Sequence, residues 1–416
     1  MSLSTAPQAA PVTPGQFTLF RVVFGLYLAL HLAHLAPYAG ELFGPEGMLP
    51  DPSALPTRLF PNLLAWLPSA ALPAVLWALA GLALLFAAGV HRRWVAVLLW
   101  YGWACLLARN PFISNPGLPF VGWLLLATAL IPEGEPLSLR PHRPAIRWAL
   151  SPVLFWGAWL LMGVGYTASG LHKLGAPSWP RGEALALVLD LPLARDTALR
   201  AWTLSWPAWT HAGLTWGVLA LEVVALPLCL WRRSRPYVWA ALVAMHLGIL
   251  SFIAFADLTV GVLMVHLFTF DRRWLRPRPE GTPPVLFFDG VCGLCNHSVD
   301  LILGEDRDAR LRFAPLQGET SAARLDPALY QDAETGDLGS LVLVDAAGTH
   351  LRSEAVLRVM SHLGGLWRAL AFLARGVPRG LRDGSYRWMA RRRYRFFGEK
   401  ESCRLPTPAE RAVFLD

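Results

Sequence analysis

Charged residues are scarce in this chain of 416 residues, and their scarcity excludes an ordinary soluble protein. Asp, Glu, Lys and Arg together make up 16% of the sequence, whereas 54% is hydrophobic. The formal net charge of +8 would suggest nucleic acid binding in a soluble protein, but here the arginines border apolar segments. We therefore expect a protein that lies mostly in a lipid bilayer and does not bind nucleic acid.

Cysteine is also rare. The sequence has five cysteines, of which only two lie close together, and this excludes the disulfide framework of a small secreted protein. The N-terminal residues 1–16 carry no basic side chain, so they lack the charged region with which a signal peptide begins. We expect these residues to be a disordered lead-in.

Lysine occurs only twice, as Lys173 and Lys400, against thirty-five arginines. Wherever a fixed positive charge is enough, this chain uses arginine. Lys173 follows an apolar run, and an amine, unlike a guanidinium group, can lose its proton. Lys173 is therefore a candidate general base, the alternative being a lysine that extends its ammonium group to the membrane interface.

Eight apolar runs in the sequence are long enough, or nearly so, to cross a hydrocarbon core of about 30 Å. They are 18–37, 72–90, 93–108, 117–132, 147–171, 212–231, 237–255 and 257–271. If the runs cross in alternation, the arginine clusters between them fall on one side, which the positive-inside rule makes the cytoplasm. We predict a polytopic α-helical membrane bundle over residues 17–272, with about eight spans and both termini in the cytoplasm.

Ionisable residues inside the predicted spans are functional candidates because charge is costly in a bilayer. Glu222 lies within the sixth apolar run and His246 within the seventh. Each also has a structural interpretation, as a hydrogen-bond partner of a neighbouring helix for Glu222 and as a satisfied core histidine for His246. No set of ligands at metal-binding spacing accompanies them, so we predict no metal.

The most specific stretch is the Cys-x-x-Cys motif formed by Cys292 and Cys295. It follows an apolar run at 284–288 that predicts a buried strand, and it opens a predicted helix at 293–304. In the first turn of a helix, free N–H groups and the positive end of the dipole stabilise a thiolate. The pattern predicts a redox dithiol in which Cys292 attacks and Cys295 resolves.

Other interpretations of this motif stay open. The two cysteines could be inert, or they could bind zinc, which would require four ligands at suitable spacing. The other nearby ligand types are His297, His350, His362 and Cys403. Asp289 either caps the helix or takes the proton from Cys295 when that thiol attacks a mixed disulfide.

The remaining C-terminal sequence alternates short strands and helices. We predict a strand at 311–314, a helical stretch at 319–330, strands at 340–345 and 349–352 joined by a turn at Ala347-Gly348, and a helix at 353–363. This pattern predicts an α/β domain over 284–405, with a linker at 273–283 and a tail at 406–416. The arginine-rich and aromatic segment 367–397 either lies on an anionic membrane surface or packs on the domain's own sheet.

The stretch from Phe288 to Cys295 resembles the signature of the DCC family of predicted thiol-disulfide oxidoreductases, which is named for Asp-x-x-Cys-x-x-Cys. Further matches are Leu311-Arg312-Phe313-Ala314, Ser353-Glu354-Ala355 and the segment from Tyr386 to Arg395. The resemblance covers residues 283 to about 405 and implies a thioredoxin-like fold. Residues 338–342, ahead of the third predicted strand, contain no proline, although such folds usually place a proline opposite the dithiol.

A second resemblance concerns the membrane part. Residues 169–174, together with Trp179 and Gly182, are similar to the vitamin K-dependent gamma-carboxylase-like membrane domain, also called the horizontally transferred transmembrane domain (HTTM). The resemblance covers roughly residues 15–275 and implies that Lys173, which follows His172, matches the base that deprotonates reduced vitamin K in the carboxylase. It thereby implies quinol-type chemistry. The carboxylase's large lumenal domain has no counterpart here, so we do not expect glutamate carboxylation.

Together these patterns predict a membrane-anchored thiol-disulfide oxidoreductase of a bacterial inner membrane, whose cytoplasmic domain reduces a protein or small-molecule disulfide. In the alternative hypothesis, the membrane domain binds or modifies a quinone or lipid with Lys173 as base, and the dithiol domain senses the redox state. Of these two hypotheses, only the alternative requires a cofactor-like molecule, namely a quinone.

Overall fold

The computed structural model describes residues 11–50, 61–139, 148–275, 281–331, 341–399, 403, 406–408 and 410–416. These residues form two compact units. One unit is helical and extends from Phe17 to Thr269. The other contains the described residues from Phe270 onwards together with residues 11–16.

The helical unit contains helices α1 to α12, although the first residues of α1 belong to the other unit. Their bounds are α1 (Pro14–Leu35), α2 (Ala39–Phe43), α3 (Leu72–Ala87), α4 (Arg92–Arg109), α5 (Leu118–Leu130), α6 (Pro152–Leu174), α7 (Ala184–Asp190), α8 (Ala198–Leu204), α9 (Ala208–Val223), α10 (Ala225–Leu230), α11 (Arg235–Phe252) and α12 (Ala256–Thr269). Helices α3, α5, α6 and α11 carry a proline at one of their first two positions. A proline is tolerated there because the N–H it lacks would have no partner within the helix.

Each of the eight apolar runs predicted from the sequence overlaps at least one helix among the described residues. Four described segments are long and apolar enough to cross a membrane, by length and composition: Pro14–Phe43, Ser69–Ala87, Pro152–Leu174 and Arg235–Phe252. Helices α5 and α12 are apolar but shorter, and the run at 212–231 is divided between α9 and α10. The prediction of about eight spans therefore stays a prediction.

A buried ion-pair network lies inside the helical unit. The Glu135 carboxylate accepts hydrogen bonds from Arg21 at 2.9 Å and from Arg92 at 2.8 Å. Arg92 is only 1% exposed, although the sequence suggested an arginine that borders a span and sets topology. Its burial is compensated because Arg92 also donates to the carbonyl oxygen of Ile131.

The C-terminal unit combines a small sheet with further helices. The strands are β1 (Val285–Phe288), β2 (Arg312–Pro315), β3 (Val342–Asp345) and β4 (Gly348–Leu351). The helices are α13 (Gly293–Glu305), α14 (Glu319–Arg324), α15 (Arg352–Leu363), α16 (Gly365–Ala374), α17 (Arg379–Ala390) and α18 (Arg393–Phe397). The sheet order is β2-β1-β3-β4, with β1 parallel to β2 and the other neighbours antiparallel.

The central strand β1 is apolar throughout because it is covered on both faces. Leu286 and Phe288 pack in one core cluster with Val299 of α13, whereas Val285 and Phe287 pack in a second cluster. Alternate side chains of a strand point to opposite faces. Helix α13, which carries the dithiol, is thereby held against the first face.

Several boundaries differ from those predicted. The helical stretch expected at 319–330 ends at Arg324 and is followed by a 3-10 turn at Pro327–Leu329, because a proline cannot continue the helix. The hairpin turn lies one residue earlier than predicted, since Gly348, with φ of +119°, already begins β4. The predicted start of the third strand, residue 340, lies outside the described residues.

The ends of the C-terminal unit are more ordered than the sequence suggested. In the predicted tail, Val413 and Leu415 exchange backbone hydrogen bonds with Phe313 of β2 at 2.9 and 3.0 Å. In the predicted lead-in, Val12 and Thr13 are buried. Residues 1–10, linker residues 276–280 and Lys400 lie outside the described residues.

Candidate active site

The dithiol lies where the central strand passes into α13. Cys292 is the N-cap residue of this helix, and its sulfur accepts the backbone N–H of Cys295 at 3.4 Å. A sulfur thus takes the place that a Ser, Thr, Asp or Asn oxygen commonly holds at a helix start. Both thiols are free, so the arrangement presents a reduced pair at a helix N-terminus.

The two thiols differ in acidity. The pKa of Cys292 is lowered to about 7, chiefly by the hydrogen bond that the Cys295 thiol donates to its sulfur. Burial opposes this lowering, whereas the Cys295 N–H and the positive charge of Arg393 support it. The pKa of Cys295 is raised, because its proton is held by Cys292 and because it is buried. The first proton to leave the pair therefore comes from Cys292.

Cys292 is completely shielded from solvent, which the sequence did not predict. The segment Phe397–Glu399, which we call the covering segment, lies against Cys292 and Gly293. Gly293 donates its N–H to the carbonyl oxygen of Gly398 at 3.1 Å, and Cys292 pairs with Glu399 in an isolated antiparallel bridge. Cys295 is only partly buried. The more acidic thiol is therefore the less accessible one.

Asp289 is buried, and both of its carboxylate oxygens are occupied. One oxygen accepts from the Val291 N–H at 3.2 Å and from the Gln317 amide at 2.9 Å. The other accepts from Arg393 at 3.0 Å and from the Tyr394 hydroxyl at 2.6 Å. The prediction that Asp289 caps the helix is wrong, because the cap is Cys292 and the Asp289 side chain turns towards α18.

Arg393 and Tyr394 belong to this site, and sequence reasoning gave them no role. Arg393 is buried, and its charge lowers the pKa of both cysteines. The two residues lie in the segment that carries the DCC resemblance, and this resemblance was the only feature of the sequence that could have indicated a role for them. Their contacts with Asp289 span more than one hundred residues of sequence, a separation that local patterns do not reveal.

The described residues contain no cluster of three or more His, Cys, Asp or Glu side chains that could hold a metal. His350 and His362 instead approach the carboxylate of Asp345 at 3.0 and 3.3 Å. With Arg358 and the Ala347 N–H, they outweigh the effect of burial and lower the pKa of Asp345 to about 2. Two of the histidines considered as zinc ligands, His350 and His362, therefore contact Asp345 instead.

In the helical unit, two separately predicted residues form one pair. The Lys173 ammonium donates to both carboxylate oxygens of Glu222 at 2.6 Å and to the Ser169 hydroxyl at 3.2 Å. It also lies 4.7 Å from the ring of Trp179. Glu222 is 4% exposed. Lys173, whose side chain is 23% exposed, is therefore paired with a buried carboxylate.

The other candidates of the helical unit occupy different surroundings. His246 is buried and lies 2.7 Å from the Tyr166 hydroxyl, which also approaches His266 at 3.5 Å. The structure thus buries His246 and pairs its Nε2 with Tyr166, but its Nδ1 is buried without a hydrogen-bond partner among the described residues, so it is not the fully satisfied core histidine of the structural interpretation. His172 lies on the surface.

Comparison with known proteins places the C-terminal unit in a family. Residues 286–399 match the DCC1-like thiol-disulfide oxidoreductase family. The uncharacterized protein YuxK of Bacillus subtilis is 38% identical over 131 residues, which are 32% of this chain and 93% of that protein. A chloroplastic DCC family protein of Arabidopsis thaliana is 36% identical over 126 residues, 30% of this chain and 72% of its own length. No solved structure matches the chain.

Proposed function

Because the chain belongs to the DCC family of thiol-disulfide oxidoreductases through its C-terminal domain, we propose that Cys292 and Cys295 carry out dithiol-disulfide exchange. The observation that carries this proposal is the thiol pair at the start of α13. There the Cys292 sulfur accepts two hydrogen bonds from Cys295, and its pKa falls to about 7. A thiol of this acidity is substantially ionised at neutral pH, and the thiolate is the nucleophile.

In the proposed reaction, Cys292 attacks one sulfur of a protein or small-molecule disulfide and forms a mixed disulfide. Cys295 then attacks the Cys292 sulfur and releases the second half of the substrate. For a large substrate, the covering segment has to move first, because Cys292 is fully buried beneath it. Asp289 is a structural partner of Arg393 in this scheme, since its oxygens already accept four hydrogen bonds.

The fold we propose for residues 284–405 is thioredoxin-like. The order β2-β1-β3-β4, with the dithiol at the end of β1 and α13 leading to the parallel strand β2, supports it. We further propose that residues 17–272 anchor this domain in a bacterial inner membrane as an HTTM-like bundle, with both termini in the cytoplasm. The four long apolar helices support the anchor. In a reducing cytosol, the dithiol would reduce its substrate.

The experiment is a single oxidation of reduced, full-length protein in detergent by glutathione disulfide. The wild type should lose two thiols, release glutathione and form a bond between Cys292 and Cys295, detected by peptide mass mapping. Cys292→Ser should form no such bond, whereas Cys229→Ser, which alters a cysteine of the helical unit, should react as the wild type does. A wild type that keeps both thiols would overturn the proposal.

For the helical unit, the Lys173–Glu222 pair favours a second candidate function, in which this unit binds a quinone or lipid and Lys173 exchanges a proton with it. Such a proton transfer needs an amine, whereas pairing with Glu222 needs only a positive charge. Lys173→Arg should keep the pair and abolish quinone-dependent proton uptake, and Lys173→Met should abolish both. If Lys173→Arg retains the quinone-dependent activity, Lys173 is not a base.

A further inference from the structure

A cavity of about 260 Å³ lies beside the dithiol within the C-terminal unit. Its walls come from α13, α15, α16 and α17, and most of the lining side chains are apolar, as for Leu301, Met360 and Met389. Its ionisable lining residues are Cys295, Tyr386 and the Asp289–Arg393 pair. The cavity is therefore mostly apolar, with the Cys295 sulfur at the point where it meets the active site.

Of the two cysteines, only Cys295 lines this cavity. Cys292 is fully buried, and the covering segment lies over it. A small molecule inside the cavity would consequently meet the sulfur of Cys295 without any movement of the covering segment. A folded polypeptide cannot enter a space of this size.

We propose that this cavity binds one half of a small, uncharged, apolar disulfide and brings its sulfur–sulfur bond to Cys295. The proposal rests on the proposed dithiol-disulfide exchange and names a substrate class for it, for which the order of attack is reversed: Cys295 attacks first and Cys292 resolves. Apolar walls favour an alkyl or aryl group, because burying such a group removes its surface from water. They disfavour a charged group, which would lose its hydration without a new partner.

The bond changes balance without a further reactant. As the Cys295 sulfur bonds to one sulfur of the substrate, its proton passes to the Cys292 thiolate that accepts its hydrogen bond. The substrate bond breaks, and the first half leaves and takes up a proton from water. Cys292 then loses its proton to water and attacks the Cys295 sulfur, and the second half leaves as a thiolate that takes up a proton from water. Two protein thiols are oxidised, and one disulfide is reduced to two thiols.

The test measures the rate constant with which a disulfide oxidises the reduced, full-length protein, in the wild type and in cavity variants. All measurements use the same detergent, so that partitioning of the disulfide into the detergent cancels in the ratio of variant to wild-type rate constants. The probes are dibutyl disulfide and glutathione disulfide. Ala390 lines the cavity, so Ala390→Leu should lower the rate constant with dibutyl disulfide about tenfold by occupying that space. The rate constant with glutathione disulfide should not change, which also shows that the variant is folded.

The matched control is Ala322→Leu, which adds the same atoms to an exposed position of α14 and should alter neither rate. In Cys292→Ser protein, dibutyl disulfide should leave one butylthio group on Cys295, identified by peptide mass. If Ala390→Leu leaves the dibutyl disulfide rate unchanged, or if the butylthio group appears only on Cys292 in Cys295→Ser protein, the cavity proposal is overturned and dithiol exchange survives. If the wild type reduces neither disulfide, both proposals fall.

Discussion

At the scale of single residues, the chemistry of the site follows from a balance of charges around two sulfurs. Burial and the Asp289 carboxylate disfavour a thiolate at Cys292, whereas Arg393 and the two hydrogen bonds from Cys295 favour it. The favourable contributions are larger, so the pKa settles at about 7. Arg393 is therefore a residue that makes the Cys292 thiol more acidic through its charge.

We predict that Arg393→Gln raises the pKa of Cys292, because a positive charge that stabilises the thiolate is removed. Below the original pKa of about 7, the thiolate fraction, and with it the rate of alkylation by iodoacetamide, should fall roughly threefold to tenfold. Well above both pKa values the rates should converge. The measurement is the pH profile of Cys292 alkylation in full-length protein, followed by peptide mass.

The control for this profile is Arg395→Gln, which removes an exposed arginine from the same helix and should leave the midpoint in place. An unchanged or lowered midpoint in Arg393→Gln would contradict the role given to Arg393. A loss of the Cys292 signal at every pH would instead report unfolding, which the thermal transition of the same sample distinguishes.

At the scale of secondary-structure elements, the first turn of α13 packs closely against the covering segment. A Cβ atom on Gly293 would lie 2.1 Å from the carbonyl oxygen of Phe397, a distance at which the two backbones cannot both stay in place. The glycine is thus required by the close approach of the covering segment. A methyl group added at residue 293 would therefore push the covering segment away from the first turn of α13.

We predict that Gly293→Ala displaces the covering segment and exposes Cys292. Alkylation of Cys292 at pH 8 should become severalfold faster than in the wild type, because the reagent can reach the sulfur without a prior movement of the covering segment. Gly304→Ala is the matched control, since it adds a methyl group to the same helix where no atom lies within 4 Å. Slower alkylation of Cys292 in Gly293→Ala would show that the covering segment does not limit access to the Cys292 thiol.

Sequence patterns predicted the elements near the dithiol because those elements are determined locally. The apolar run at 284–288, the turn and the helix at 293–304 reappear as β1 and α13 with one-residue differences. The covering segment and the Asp289–Arg393 pair were not predicted, because they depend on chain segments about one hundred residues away. The edge position of Val413 beside β2 was missed for the same reason.

At the scale of the whole molecule, a thiol-disulfide oxidoreductase domain is joined to a helical unit with segments apolar enough to cross a membrane. Hydropathy identified the helices, and four of the described segments are long and apolar enough to cross a membrane. The division of one run at Val224 into α9 and α10 is a backbone feature that apolar composition does not reveal.

We predict that the C-terminus lies in the cytoplasm, because the arginines at 272 and 273 follow the last apolar helix. A green fluorescent protein fused after Asp416 should fluoresce in bacterial cells, whereas alkaline phosphatase at the same position should be inactive. Active phosphatase would place the dithiol in the oxidising compartment, where the disulfide form would prevail and the domain would oxidise its substrate instead.

The most direct test of the account is a redox titration of the full-length protein in glutathione buffers, with peptide mass mapping of every cysteine. We predict that the thiols of Cys292 and Cys295 disappear together, in one reversible two-electron step that forms a bond between them, while Cys105 and Cys229 stay reduced. Independent oxidation of Cys292 and Cys295, or the persistence of both thiols across the whole range, would contradict the claim that these residues form a redox centre.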